Sequence, residues 1–411
     1  MTSRYAAQRD VATPVDRTLF DGVLRENDGD LPRSDALLAV STVQAHAAML
    51  ARLPNGDLGL VWFGGTQEGV DDISIWFARL PEGERIWSTP RQVTDDPTRS
   101  EQNPVLFSTP GGRLWLLYTS QTGGNQDTAQ VHRRISDDNG LTWSAAEVLF
   151  DATDEGGVFI RQPVVISRSG RWLLPIFQCV REEGRRWVGD YDTSAVMLSD
   201  DEGLSWRRVS VPDSLGAVHM SIVERPDGSL NALYRSRWAD RIHRSVSTDD
   251  GQSWTVPVPI ALPNNNSSLQ HAGLADGDLV LVYNHSSRDD ADGQRASLYD
   301  EIDDDGLVEP ASAPVLAAEL DGDHRRAFWG APRAPMSLAV STDGEDWTVV
   351  ADLAQGDGYC LTNNSKDLRN REFSYPVVLP NADGSIDIAY TLHRQTITHV
   401  RLASGWRRAN G

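Results

Sequence analysis

Two histidines, a tyrosine and two arginines fall on one register of this sequence, and their chemistry is complementary. Six apolar hairpins align on their turn glycines: LARLPNGDLGLVW on Gly56, VLFSTPGGRLWLLY on Gly112, VVISRSGRWLLPIF on Gly170, SIVERPDGSLNALY on Gly228, AGLADGDLVLVY on Gly277 and VVLPNADGSIDIAY on Gly384. Eight to ten residues before the glycine stand His46, Gln102 with Asn103, Arg161 with Gln162, His219, Ser267 with Ser268, and Tyr375. Seven residues after it stand Phe63, Thr119, Phe177, Arg235, Asn284 and Thr391. A strand that only fills a core would carry aliphatic side chains there. A ring of imidazoles, guanidinium groups, amides and a phenol reads instead as a polar ligand site.

The residue types narrow the chemistry. His46 and His219 could each serve as acid or base near neutral pH. Arg161, Arg235 and Arg394 could fork onto a carboxylate. The loop GGTQEGVDD after the first hairpin offers Glu68, Asp71 and Asp72, either as a solvated turn or as the source of a general acid. His46, His219 and a loop carboxylate could meet around a metal, but no HxH or HExxH spacing is present, so no metal is expected. No phosphate-binding glycine loop, GxSxG elbow or dinucleotide fingerprint occurs in a credible context, so no cofactor is expected either.

The elements that must position these residues are strands. Each hairpin shows alternating apolar positions around a turn rich in Asn, Asp, Gly and Pro. A second repeat interleaves with the hairpins: SDDNGLTW at Ser136–Trp143, SDDEGLSW at Ser199–Trp206, STDDGQSW at Ser247–Trp254 and the shortened STDGEDW at Ser341–Trp347. In this turn Ser and Asp can satisfy backbone N–H groups, Gly supplies a positive φ, and Trp can pack between neighbouring units. The first unit keeps only the tryptophan, Trp87. Six four-stranded units, with the polar turn between third and fourth strands, predict an all-β, six-bladed β-propeller. Residues 1–34 are expected to be an N-terminal extension packing on the propeller. Residues 35–411 form the propeller, with an acidic insertion at about 289–330 in blade five.

Bulk properties bound the partners. The 411 residues carry a net charge of −21, which argues against nucleic acid and anionic membrane surfaces. Of the 38 basic residues only Lys366 is a lysine, so cationic sites must be built from arginine. Two cysteines, Cys179 and Cys360, make no disulfide framework, and the N-terminus shows no signal-peptide pattern. A cytoplasmic location is the expectation, and the four Asn-x-Ser sequons at Asn265, Asn266, Asn284 and Asn363 then carry no meaning.

The polar turns resemble the Asp-boxes, or bacterial neuraminidase repeats, of the sialidase superfamily, over about residues 35–405. The phrases QAHAAML, EQNPVLF and FSYPVVL are similar to a sialidase-like subgroup. The resemblance implies a six-bladed propeller. It also implies an arginine triad for the substrate carboxylate, a Tyr nucleophile assisted by a Glu, and an Asp acid/base on a blade-one loop. Tyr375 in SYPVV matches the nucleophile, Arg235 in LYRSR the second triad arginine, and Arg333 the third. Where a phrase like FRIP would supply the first arginine, this chain has QAHAAM with His46, and where the assisting Glu would stand it has His219.

Three functions follow. The first is an exo-acting hydrolase of an acidic oligosaccharide, sialic or uronic, with catalytic residues among Tyr375, His219, His46, Glu68 and Asp72. Its substrate-binding residues would be Arg161, Arg235, Arg333, Arg394, Gln102, Asn103 and Asn284. The second is a uronate lyase in which a histidine abstracts the proton alpha to the carboxylate. The third is a glycan-binding propeller without turnover.

Overall fold

The computed structural model describes residues 16–27, 31–295, 297–298, 302–303, 306–307, 325–357 and 371–407. Cys360, Lys366, the sequon at Asn363 and most of the blade-five insertion lie outside the described residues.

The described chain is all-β, with six blades in a ring. Each blade is an antiparallel meander. Blade one runs Gln44–Arg52, Leu58–Gly65, Ser74–Leu80 and Arg91–Gln92. Blade four runs Ala217–Glu224, Leu230–Ser236, Arg241–Ser247 and Val258–Pro263. In blade six, Phe373–Pro380, Ile386–Leu392 and Thr396–Leu402 are joined by Arg33–Leu37, which pairs with the third strand. Arg25–Asn27 extends that sheet further. Early and late residues thus share one sheet, which covers the edge that blade six would otherwise expose.

The two inner strands of blade one are buried on both faces over most of their length, so they read as apolar runs. In blade one, Met49, Leu50, Leu60, Val61 and Trp62 are all at most 4% exposed. Each such aliphatic side chain contributes roughly 1.5–3 kcal/mol relative to solvent exposure.

The repeated turns have the hydrogen bonds their residues call for. In the first, the Ser136 hydroxyl donates to Asp138 at 2.7 Å and accepts from Gly140 N–H at 2.8 Å. Asp138 in turn accepts from Thr142 N–H at 2.8 Å and the Thr142 hydroxyl at 2.6 Å. Ser199 with Asp201 and Ser247 with Asp249 repeat this arrangement. The turn glycine faces the preceding blade. A Cβ on Gly140 would lie 2.8 Å from Phe77, one on Gly203 2.5 Å from Trp115, and one on Gly251 2.6 Å from Leu173. These glycines also sit at φ of 82°, 81° and 79°, so close approach and left-handed backbone both exclude a side chain. The repeat is a device for seating one blade on the next.

Candidate functional site

The innermost strands of blades one, two, four and six each break register in their first half. One residue in each bulge has positive φ: Ala47 at 59°, Asn103 at 47°, His219 at 54° and Tyr375 at 53°. A bulge re-aims side chains and is common beside active sites. None of these four is glycine, and left-handed backbone at a His or Tyr is costly unless the surroundings hold it. The bulges also correct an equivalence. His219 corresponds to Ala47, whereas His46 is the residue before the bulge, paired with Phe63. The two histidines approach the centre from different positions of their strands.

They nevertheless meet at Tyr375. Its ring lies 4.3 Å from the His46 ring and 5.6 Å from the His219 ring, centroid to centroid. Arg235 Nη1 donates to the Tyr375 hydroxyl at 2.8 Å and reaches His219 Nε2 at 3.4 Å. The guanidinium groups of Arg161, Arg333 and Arg235 lie 5.2, 5.5 and 5.9 Å from the Tyr375 ring centroid. Arg235 is aimed by its Nε–H, which donates to Asn266 Oδ1 at 2.7 Å. Its Nη2 is buried without a hydrogen-bond partner among the described residues, as are His46 Nε2, His219 Nδ1 and Arg161 Nη1.

Arg333 and Glu372 are set side by side because Arg333 pairs across a parallel bridge with Glu372. Glu372 Oε1 accepts from Arg333 Nη1 at 2.8 Å, from the Ser374 hydroxyl at 2.8 Å and from Arg394 Nε at 3.1 Å. Arg394 sits in a tight hairpin turn, His393 and Arg394 having φ of 48° and 55°, and its Nη1 donates to Glu68 Oε2 at 2.6 Å. A chain of alternating charges, Arg333–Glu372–Arg394–Glu68, therefore runs beside the tyrosine.

This field decides protonation. Burial, then Arg394, Arg333 and two further arginines, hold His46 well below the ordinary imidazole range. His219 is held there by burial, then by Arg235, Arg237, Arg161 and Arg333. Both imidazoles are neutral across physiological pH, and protonating either adds a charge among arginines. For Glu372, burial pushes the carboxyl upward, but Arg394 and Arg333 outweigh it and hold the group at about 2.

The other expected residues make contacts of their own. Arg161 spends its Nη2 on the carbonyls of Ala48 and Tyr375, both at 3.0 Å, so that part of it ties blades one and six together. Asn284 clamps Pro335 and Phe373 carbonyls at 3.1 and 2.7 Å. Gln102 donates to Ser100 at 3.0 Å, and Asn103 is the bulge residue of blade two. Asp72 is exposed and accepts from the backbone N–H of Thr66 at 3.0 Å, which closes its own loop. Asn265, Asn266 and Asn284 are at most 3% exposed, too buried to carry a glycan.

Glu372, Asn266 and Ser374 were missed from sequence. Glu372 was hidden because it lies three residues before Tyr375, off the hairpin register, and is brought in only by the bridge to Arg333. The Arg237–Asp192 pair was also missed. Arg237 donates to Asp192 at 2.6 and 3.0 Å, with Trp187 and Trp329 at 5.3 and 5.2 Å from the guanidinium carbon. Trp329 also lies 5.6 Å from Arg235 and thereby walls the site.

The family described as BNR repeat-like domain matches residues 56–388. The chain belongs to that sialidase-like BNR-repeat family. It is 29% identical over 142 residues to an anhydrosialidase of Macrobdella decora, covering 32% of this chain and 17% of that protein. It is 27% identical over 248 residues to a sialidase of Micromonospora viridifaciens, covering 54% of this chain and 36% of that protein. The match thus spans about a sixth and about a third of these relatives' lengths. A Hadza microbial sialidase shares the fold with a TM-score of 0.64 at 14% identity, over 88% of this chain and 66% of that one. Among the described residues no helix is long and apolar enough to cross a membrane.

Proposed function

We propose that this protein is an exo-acting glycoside hydrolase that removes a terminal acidic sugar. The observation that carries it is the hydrogen bond from Arg235 to the Tyr375 hydroxyl at 2.8 Å, with the second terminal nitrogen of Arg235 buried and unpartnered beside it. A sugar carboxylate placed on Arg235 Nη2 brings its anomeric carbon toward the phenol oxygen. Attack forms the tyrosyl C–O bond and breaks the glycosidic C–O bond, and the phenol proton passes through water to the leaving oxygen. The blade-one loop, whose Glu68 is paired with Arg394, is the side from which that water enters. Water then releases the sugar from Tyr375.

Sialic acid is the first sugar to try, since the matched relatives are an anhydrosialidase and a sialidase; uronates come second. A cytoplasmic location would confine the substrate to short imported oligosaccharides. The lyase reading is weakened by the arginines, because proton abstraction by His46 or His219 would create a buried cation among them. The test is incubation with sialyl- and uronyl-terminated oligosaccharides, following released sugar and the ultraviolet absorbance of an unsaturated uronate in parallel. Released sugar without absorbance supports hydrolysis. Absorbance establishes the lyase instead, and saturable binding without product establishes a glycan-binding propeller.

A further inference from the structure

The imidazole of His46 is fully buried, and each of its nitrogens faces a different environment. Nδ1 lies 2.9 Å from the Thr391 hydroxyl oxygen and 3.9 Å from Glu372 Oε1. Nε2 is buried with no hydrogen-bond partner among the described residues, on a ring packed against Tyr375 at 4.3 Å. Two tautomers are conceivable, and they give His46 opposite roles. With the proton on Nδ1, Nε2 would present a lone pair to the site and act as a base. With the proton on Nε2, the same atom would be a hydrogen-bond donor.

Counting donors and acceptors decides between them. The Thr391 oxygen already accepts the backbone N–H of Ala47 at 3.2 Å. The Thr391 hydroxyl proton needs an acceptor, and His46 Nδ1 is the one the described hydrogen bonds provide. Glu372 Oε1 makes no demand for a proton on Nδ1, because Arg333, Ser374 and Arg394 already donate to it. A proton on Nδ1 would leave the Thr391 hydroxyl proton buried without an acceptor, at a cost of ~1–3 kcal/mol.

We infer that His46 is a positioning residue locked by Thr391 as the Nε2–H tautomer, presenting a neutral donor to an oxygen of the bound sugar beside Tyr375. The donor's role toward a sugar rests on the proposed function; the tautomer does not. The groups facing the ring are Tyr375, Phe63, Thr391 and Glu372, with the positive charges of Arg394, Arg333, Arg161 and Arg235 around them. A neutral donor there holds a hydroxyl, ring or carbonyl oxygen without adding charge. The site can therefore bind a singly charged sugar with Arg235 carrying its anion and His46 fixing its orientation.

Long-range proton–nitrogen correlation spectra of the full chain with labelled histidine test the tautomer, the His46 signals being those lost in His46→Gln. The expected pattern has the proton on Nε2, unchanged through the neutral pH range. A proton on Nδ1 overturns the inference and makes Nε2 a base. Thr391→Val should move the His46 signals toward a tautomer mixture; unmoved signals overturn the lock. For positioning, titration with sialyllactose should show His46→Leu losing ~10-fold in affinity and His46→Gln, whose amide nitrogen can stand at the Nε2 place, recovering most of it. Equal affinity of wild type and His46→Leu overturns the positioning role. Failure of the wild type to bind sialyllactose counts against the sialic acid reading, while the spectra still decide the tautomer.

Discussion

At the rim, each Asp-box satisfies its buried polar atoms locally: one serine hydroxyl and one carboxylate serve the turn's N–H groups within a few residues. At the centre, polar atoms from several blades converge and some remain without partners. The contrast is sharpest at the end of the second strand of blade four, Leu230–Ser236, and the turn that follows it. Arg237 is buried and held by two guanidinium nitrogens on Asp192, whereas Arg235, equally buried, gives one nitrogen to a phenol and leaves another unpaired. Unpaired buried donors cost stability, and a protein keeps them where a ligand completes them. Repetition here marks support, and its breakdown marks the site.

The largest effect expected to test this contrast is on the paired arginine. Asp192→Ala strands a buried cation and should cost ~3–5 kcal/mol in denaturant unfolding. Arg235→Met should leave the midpoint unchanged or raise it while abolishing sugar binding. Equal destabilisation by the two would erase the distinction between support and site. Next, Tyr375→Phe should lower kcat by ~1,000-fold or more with an unchanged melting temperature; a modest loss would remove Tyr375 as nucleophile.

A rim change should do the reverse. Gly251→Ala forces a Cβ toward Leu173 at a φ of 79° and should cost ~1–3 kcal/mol without altering ligand affinity. The smallest effect concerns a carboxyl outside the site. Burial raises Glu101 from 4.5 to about 7. The folded state then holds a proton that the unfolded state has released, so stability falls as pH rises between those values. Glu101→Gln should remove that fall, seen as a higher melting temperature than wild type above pH 7 and convergence below pH 4.5.

Most of the frame was legible because its signals are local. Alternation, turn glycines and the SxDxG spacing act over fewer than about ten residues, a range within which sequence pattern and backbone geometry are tightly coupled. Register on the hairpin glycines also picked out Tyr375, His46, His219 and Arg235, which the structure brings together, since a strand's start lies at a fixed distance from its turn. Register failed where the backbone departs from regularity. The bulges at His219 and Tyr375 have no glycine to announce them, and they make His219 the counterpart of Ala47 rather than His46.

Sequence by itself determined the six-fold β architecture, the structural nature of the repeated turns and the polar ring at the strand starts, because these depend on period and turn chemistry. Only the tertiary structure decided which of the ring's residues face one another. It put Glu372 between Arg333 and Arg394, turned Asn284 and part of Arg161 into clamps on backbone carbonyls, and sent Asp72 back onto its own loop. It also made both histidines neutral. That outcome follows from burial and from arginines contributed by blades far apart in the chain, and electrostatic energy depends on distance in space, which no local pattern records.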